Sequence, residues 1–145
     1  MVKNARIAKS RIRKLIADFG GGTSLTNSLD GIPKAAGAQL LGEVQLSSDE
    51  EPLLASFLDP NRWALLTTER LIWKTGEEVV SRGWVEVQDA DPPESVWRGT
   101  QQRDKIDQLI MVTSDGTRHE LAVEPGLRTF DLMWNAILML AGGKR

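Results

Sequence analysis

The sequence predicts a mainly β, α+β fold: a strongly bent antiparallel sheet closed at one opening by a carboxy-terminal helix, with an additional amphipathic helix at the amino terminus. Three observations predict it. From Trp63 onward, short runs rich in β-branched and aromatic residues alternate with polar turns. Ser114-Asp115-Gly116 stands between the strand-like runs Ile106 to Thr113 and Thr117 to Glu124, and Asp-Gly in that setting is a strong hairpin signal. Residues 127–141 carry apolar side chains at helical spacing between Pro125-Gly126 and Gly142-Gly143.

Taken in order, Ala5, Ala8, Ile12, Leu15, Ile16 and Phe19 recur at three- and four-residue spacing with basic residues between them, which predicts a helix over 1–19 that Gly20-Gly21-Gly22 stops. Residues 20–42 are rich in Gly, Ser and Thr with little apolar periodicity, the composition of a flexible linker. A short helix is expected from about Glu50 to Leu58, capped by Asp49 and with Pro52 in its first turn. Residues 63–68 and 70–74 read as strands. Glu78 to Asp89 alternates, and its odd-numbered face (Val79, Ser81, Gly83, Val85, Val87) is the smoother core candidate. Asp91-Pro92-Pro93-Glu94 ends that strand. In the last helix, Leu127, Phe130, Trp134, Ile137, Leu138 and Ala141 form the primary stripe. Leu132, Met133, Met139 and Leu140 lie outside it, so a second face awaits cover by the first helix, another subunit or a partner.

At 145 residues and 41% hydrophobic composition, the chain is long enough for one real core. With 18 basic and 20 acidic residues, the net charge of −2 gives no bulk argument for nucleic acid or membrane. The charge is unevenly spread: residues 1–34 hold seven basic and two acidic side chains, and residues 35–145 hold eleven basic and eighteen acidic ones. The absence of Cys excludes disulfides, a thiol nucleophile and cysteine zinc sites, and fits a cytoplasmic location. Charges interrupt every early apolar stretch, so no secretory leader or membrane span is expected.

The runs Trp63 to Trp73 and Trp84-Val85-Glu86-Val87, Leu109 to Val112 with Asp115-Gly116, and the helix around Phe130 and Trp134 together resemble the bacterial pleckstrin-homology-like (PH-like) domains over about residues 43–143. The resemblance implies a partly open antiparallel β-barrel of two near-orthogonal sheets capped by the carboxy-terminal helix. The barrel's first strand is sought in Gly42 to Leu46. Phosphoinositide-binding relatives use a basic loop between their first two strands. Here Glu69 alone separates Thr68 from Arg70, which gives no such cradle.

No catalytic constellation is evident. His119 is the only histidine and shares a face with Leu121 and Val123, as a structural histidine would; it is also the only imidazole that could serve as a base. Ser114 and Asp115 occupy the hairpin turn, Asp89, Asp91 and Glu94 form an acidic loop without EF-hand spacing, and no phosphate-binding Gly motif occurs. The expectation is therefore a non-catalytic binding or scaffolding module without cofactor, metal or small-molecule substrate, whose ligand is another protein or a second copy. Trp84, Trp97, Arg98, Leu132, Met133 and Met139 are its candidate partner contacts. Lys3, Arg6, Lys9, Arg11, Arg13 and Lys14 offer an alternative, peripheral attachment to an anionic membrane surface. Their helix lacks the interleaved aromatics of single-strand nucleic-acid binders. A further alternative is an immunity-type inhibitor whose acidic body binds a basic partner.

Overall fold

The computed structural model describes residues 5–99 and 105–142. Helix α1 spans Ala5–Asp18 and buries Ala8, Ile12 and Ile16, as the apolar spacing requires. Its end is a Schellman motif: Gly20 N–H bonds the Ala17 carbonyl at 3.2 Å and Gly21 N–H bonds Ile16 at 2.7 Å. Gly20 takes φ +95°, a value that only Gly adopts without strain.

The stretch expected to be a linker is instead built into the fold. It contains strand β1 (Thr26–Asn27), a 3-10 turn at Leu29–Gly31 and helix α2 (Lys34–Glu43). Its hydroxyls supply the reason, because Thr23 and Thr26 both donate to Glu124 Oε1, at 2.7 and 2.6 Å, and Thr26 Oγ1 shares a further hydrogen bond with Ser56. Burial of Ile32 and Leu40 adds the apolar gain needed to offset the ordering entropy.

The expected helix at 50–58 is also corrected: Pro52–Asp59 is strand β2. It lies between β1 and β3 (Arg62–Thr67), with Leu53 through Phe57 all buried. Such a strand reads as an unbroken apolar run, which periodicity alone cannot separate from a helix. Strands β4 (Arg70–Thr75) and β5 (Glu78–Gly83) complete a five-stranded antiparallel sheet of order β1-β2-β3-β4-β5. No strand forms in Gly42 to Leu46, where α2 ends and the chain runs on without pairing.

The alternation from Glu78 to Asp89 is broken by a 3-10 turn at Trp84–Glu86. The turn resets the parity, so the odd face is not a core face throughout: Val79 and Val85 are exposed, Val87 is buried, and Trp84 turns inward. Beyond it, β6 (Val87–Asp91), β7 (Gln108–Thr113) and β8 (Arg118–Ala122) form a second antiparallel sheet of order β6-β7-β8. Helix α3 (Glu94–Trp97) follows β6. The β7–β8 hairpin turns as its Asp-Gly pair predicts, with Gly116 at φ +85° and the Asp115 carboxylate accepting from Thr113 Oγ1 and Thr117 N–H.

Helix α4 (Leu127–Leu140) closes the chain as expected. Thr129 Oγ1 donates to the Gly126 carbonyl at 3.1 Å in its first turn, and Trp134 Nε1 donates to the Ala90 carbonyl at 2.6 Å, tying the helix to β6. Two apolar clusters hold the layers together. The larger joins α1, both sheets and α4; the smaller lies under α2 and contains Leu40, Phe57, Trp63 and Ile72. The fold is thus α+β with two antiparallel sheets of five and three strands and a carboxy-terminal helix. Because α1 shares the larger cluster, it packs as part of the same body as the sheets.

Candidate functional site

Docking of α1 decides which surfaces remain for recognition. Its apolar stripe lies in the larger cluster together with Leu132, Met133 and Ala136 of α4. Helices α1 and α4 are in contact within this cluster. Leu132 and Met133 have no exposed surface and Trp84 is 2% exposed, so these three expected partner contacts build the core instead. Trp84 Nε1 also donates to the Thr67 carbonyl at 2.8 Å, which satisfies the indole inside. Met139 is half-buried against the same cluster. Arg98 is exposed and pairs with Glu94 at 2.7 Å. Trp97 ends α3, its side chain lies outside the described residues, and Lys3 lies outside them altogether.

The same docking turns Arg6, Lys9, Arg11, Arg13 and Lys14 outward, and all five are exposed. Lys14 pairs with Asp18 at 3.0 Å. Among the described residues, Lys9, Arg11 and Arg13 form no ion pair. Beside this face runs a groove of about 370 Å³, with Lys9 and Arg13 on the helix wall and Ser28, Asp30 and Glu51 on the facing wall. A second hollow of about 300 Å³ continues it, sharing Lys9, Arg13 and Glu51 and adding Arg6 and Ser10. The arrangement is a strip of cations along a concave surface, suited to holding an anionic group.

A buried network fixes the wall opposite the helix. The Glu50 side chain is 2% exposed and accepts from Arg70 Nε at 2.9 Å, Thr67 Oγ1 at 2.5 Å and Ser47 N–H at 3.1 Å. Burial pushes its carboxyl up, but these donors outweigh burial and hold it below the ordinary value. The neighbouring Glu51 N–H bonds Thr68 Oγ1, so the groove wall inherits this anchorage.

His119 lies elsewhere, edge-on to Trp73 with ring centroids 5.3 Å apart. Burial first, and then the positive charge of Arg82, push its imidazole below the ordinary 6.5 against an opposing pull from Asp115. Thr113 Oγ1 is 3.5 Å from His119 Nε2 but only 2.5 Å from Asp115 Oδ1. The hydroxyl proton is therefore directed to the carboxylate, and the set lacks the nucleophile-to-base geometry that acyl transfer needs. Asp115 itself is held down to about 2 by the hydrogen bonds from Thr113 and Thr117. Near the acidic loop, Asp91 and Glu94 share a shallow hollow with Arg118. Among the described residues, no three His, Cys, Asp or Glu side chains form a metal-holding group. No helix among them is long and apolar enough to cross a membrane.

Ser28, Asp30 and Glu51 were not legible as site residues. Ser28 and Asp30 fall in the supposed linker, and Glu51 stands with Asp49 and Glu50 at the start of the expected helix, where the helix dipole already explains negative charge. No family model matches the chain, and a search of the curated proteins finds no match.

Proposed function

We propose that the chain is a non-catalytic binding module of PH-like architecture that recognises an acidic segment of another protein through the outward face of α1. The four consecutive strands β2–β5, the three strands β6–β8 and the closing helix α4 support the PH-like reading by their order, with α1, β1 and α2 as additions. The observation that carries the functional reading is the five exposed cations on a helix whose apolar stripe is already committed to the core. A helix that inserts among lipid headgroups needs that stripe for the acyl boundary. Here Ala8, Ile12 and Ile16 are at most 8% exposed, and Ile7, at 49%, is the one large apolar side chain of α1 left outward for a membrane. Asp30 and Glu51 beside the cations oppose approach of a continuous anionic surface, whereas a protein segment can place its charges selectively.

The test is binding of a short Asp/Glu-rich peptide to the chain and to a variant with Arg6, Lys9, Arg11, Arg13 and Lys14 all changed to Gln. Affinity for the parent chain is expected to fall with added salt, as the screening length shortens to about 8 Å at physiological ionic strength. The variant is expected to lose most of the binding while keeping its fold. Affinity indifferent to both salt and charge removal, or stronger capture by phosphatidylserine vesicles than by the peptide, would count against the proposal.

A further inference from the structure

We infer that β5 pairs antiparallel with β5 of a second copy of this chain, in the register that sets Val79 opposite Ser81 and Glu78 opposite Arg82 about a two-fold axis at Val80. This goes beyond the reading of α1 as the recognition face and uses a different surface. Strand β5 is an edge of its sheet, since only β4 pairs with it among the described residues. An edge strand of this length is a template for pairing with another chain.

The pairing with β4 fixes which backbone groups face outward. Trp84 N–H donates to the Glu69 carbonyl at 3.3 Å, and the register from Arg70↔Gly83 to Thr75↔Glu78 is unbroken. Hydrogen-bonded and non-hydrogen-bonded positions alternate along an antiparallel pair, so Glu78, Val80 and Arg82 bond β4 while Val79, Ser81 and Gly83 face away. Gly83 N–H donates instead to Glu86 Oε2 at 3.1 Å, in keeping with that parity. The edge donors left are Val79 and Ser81. A two-fold pairing that uses both without Gly83 matches Val79 of each copy with Ser81 of the other. The Ser81 carbonyl is held by Arg82 Nη1 of its own strand at 2.8 Å; pairing replaces that donor by the second copy's Val79 N–H and releases the guanidinium.

The side chains select the same register. With Val80 on the axis, Glu78 of each copy stands opposite Arg82 of the other, at non-hydrogen-bonded positions where side chains approach most closely. Glu78 is exposed, Arg82 is half-buried, and neither forms an ion pair among the described residues. Val80, already packed against the larger cluster, meets its counterpart and extends that core across the seam. A register centred on Val79 or on Ser81 loses both charge pairs, and the second also needs the Gly83 N–H that Glu86 occupies. Opposite charges at equal distance on either side of Val80 are what a self-complementary contact requires, which favours a second copy over an unrelated strand.

Sedimentation velocity on the full chain over a range of concentrations reads the association. A dimer is expected that weakens with salt and persists when the five outward cations of α1 are changed to Gln, which separates it from the recognition face. Val79→Pro removes an outward N–H and leaves the β4 bonds in place, and is expected to give a monomer. Glu78→Arg alone and Arg82→Glu alone set like charges opposite each other, and each is expected to weaken the dimer at least about tenfold. An equal mixture of these two variants again sets opposite charges face to face at both positions and is expected to associate as the parent does. Circular dichroism confirms that each variant is folded, and if Val79→Pro is not, the mixture decides. A parent chain that stays monomeric at the highest concentration, a dimer indifferent to the charge reversals or lost with the α1 cations, or a mixture that fails to associate overturns the assignment.

Discussion

Replacing Glu50 by Ala tests the anchorage of the groove wall. A fully buried ion pair that loses one partner typically costs about 3–5 kcal/mol, because the remaining charge is stranded. The surroundings of Glu50 reduce that figure. Arg70 retains its 2.8 Å bond to the Gln45 carbonyl and its side chain is 29% exposed, so the guanidinium can be rehydrated. Thr67 Oγ1 has the Arg70 carbonyl at 3.1 Å as a second acceptor, and the exposed Ser47 can turn its N–H to water. What is lost is a pair of hydrogen bonds from Arg70, at 2.9 and 3.3 Å, together with those from Thr67 and Ser47, all to one carboxylate and all with partial replacement, about 2 kcal/mol. For a domain of this size, that corresponds to a fall in melting temperature of about 4–8 °C. Glu50→Gln, which keeps one acceptor oxygen for Arg70, is expected to cost about half as much. Thermal unfolding followed by circular dichroism measures both. The sign with pH is fixed by the lowered carboxyl: its contribution is present above the ordinary 4.5 and disappears as pH falls through the lower folded value. The gap between parent and Glu50→Ala should therefore close in acid. A variant as stable as the parent at neutral pH, or a gap that persists once the carboxyl is protonated, would refute the reasoning.

Ile12→Ala removes a side chain that is 1% exposed in the larger core cluster and should cost about 2–5 kcal/mol, read as lowered denaturant midpoint together with faster amide exchange across Ala5–Asp18. Gly116→Ala forces a side chain into φ +85° at the β7–β8 turn and should destabilise by about 1 kcal/mol in the same unfolding assay. Burial and the charge of Arg82 lower the His119 imidazole, so its contribution is present above 6.5 and is lost as pH falls through the lower folded value; His119→Gln should flatten that part of the stability profile measured by chemical denaturation.

The parts of the fold that the sequence made legible are those whose signal is local. The α1 stripe and its glycine stop, strands β3 and β4, the Asp115-Gly116 hairpin and α4 are set by periodicity and turn chemistry within a few residues. The parts that were not legible depend on distant partners. β2 is buried on both faces between β1 and β3, so its run of apolar residues lacks the alternation that marks a strand. The segment at 20–42 looks like a linker until Glu124, about a hundred residues away in sequence, accepts from Thr23 and Thr26. Trp84 appeared outward because a single 3-10 turn, invisible in the alternation, reverses the parity of the strand. The cations of the candidate site were legible one by one as the polar side of α1. The groove they line was not, since its other wall comes from the two segments misread as linker and helix.

The most direct test of the recognition face is amide chemical-shift mapping on the isotopically labelled chain during titration with the Asp/Glu-rich peptide. Perturbations are expected to concentrate on the outward positions of α1, from Arg6 to Lys14, while the Ala8–Ile12–Ile16 stripe keeps its place in the larger core cluster. Perturbations centred instead on the exposed β5 strand or the α3 loop, or detachment of α1 on binding, would contradict it.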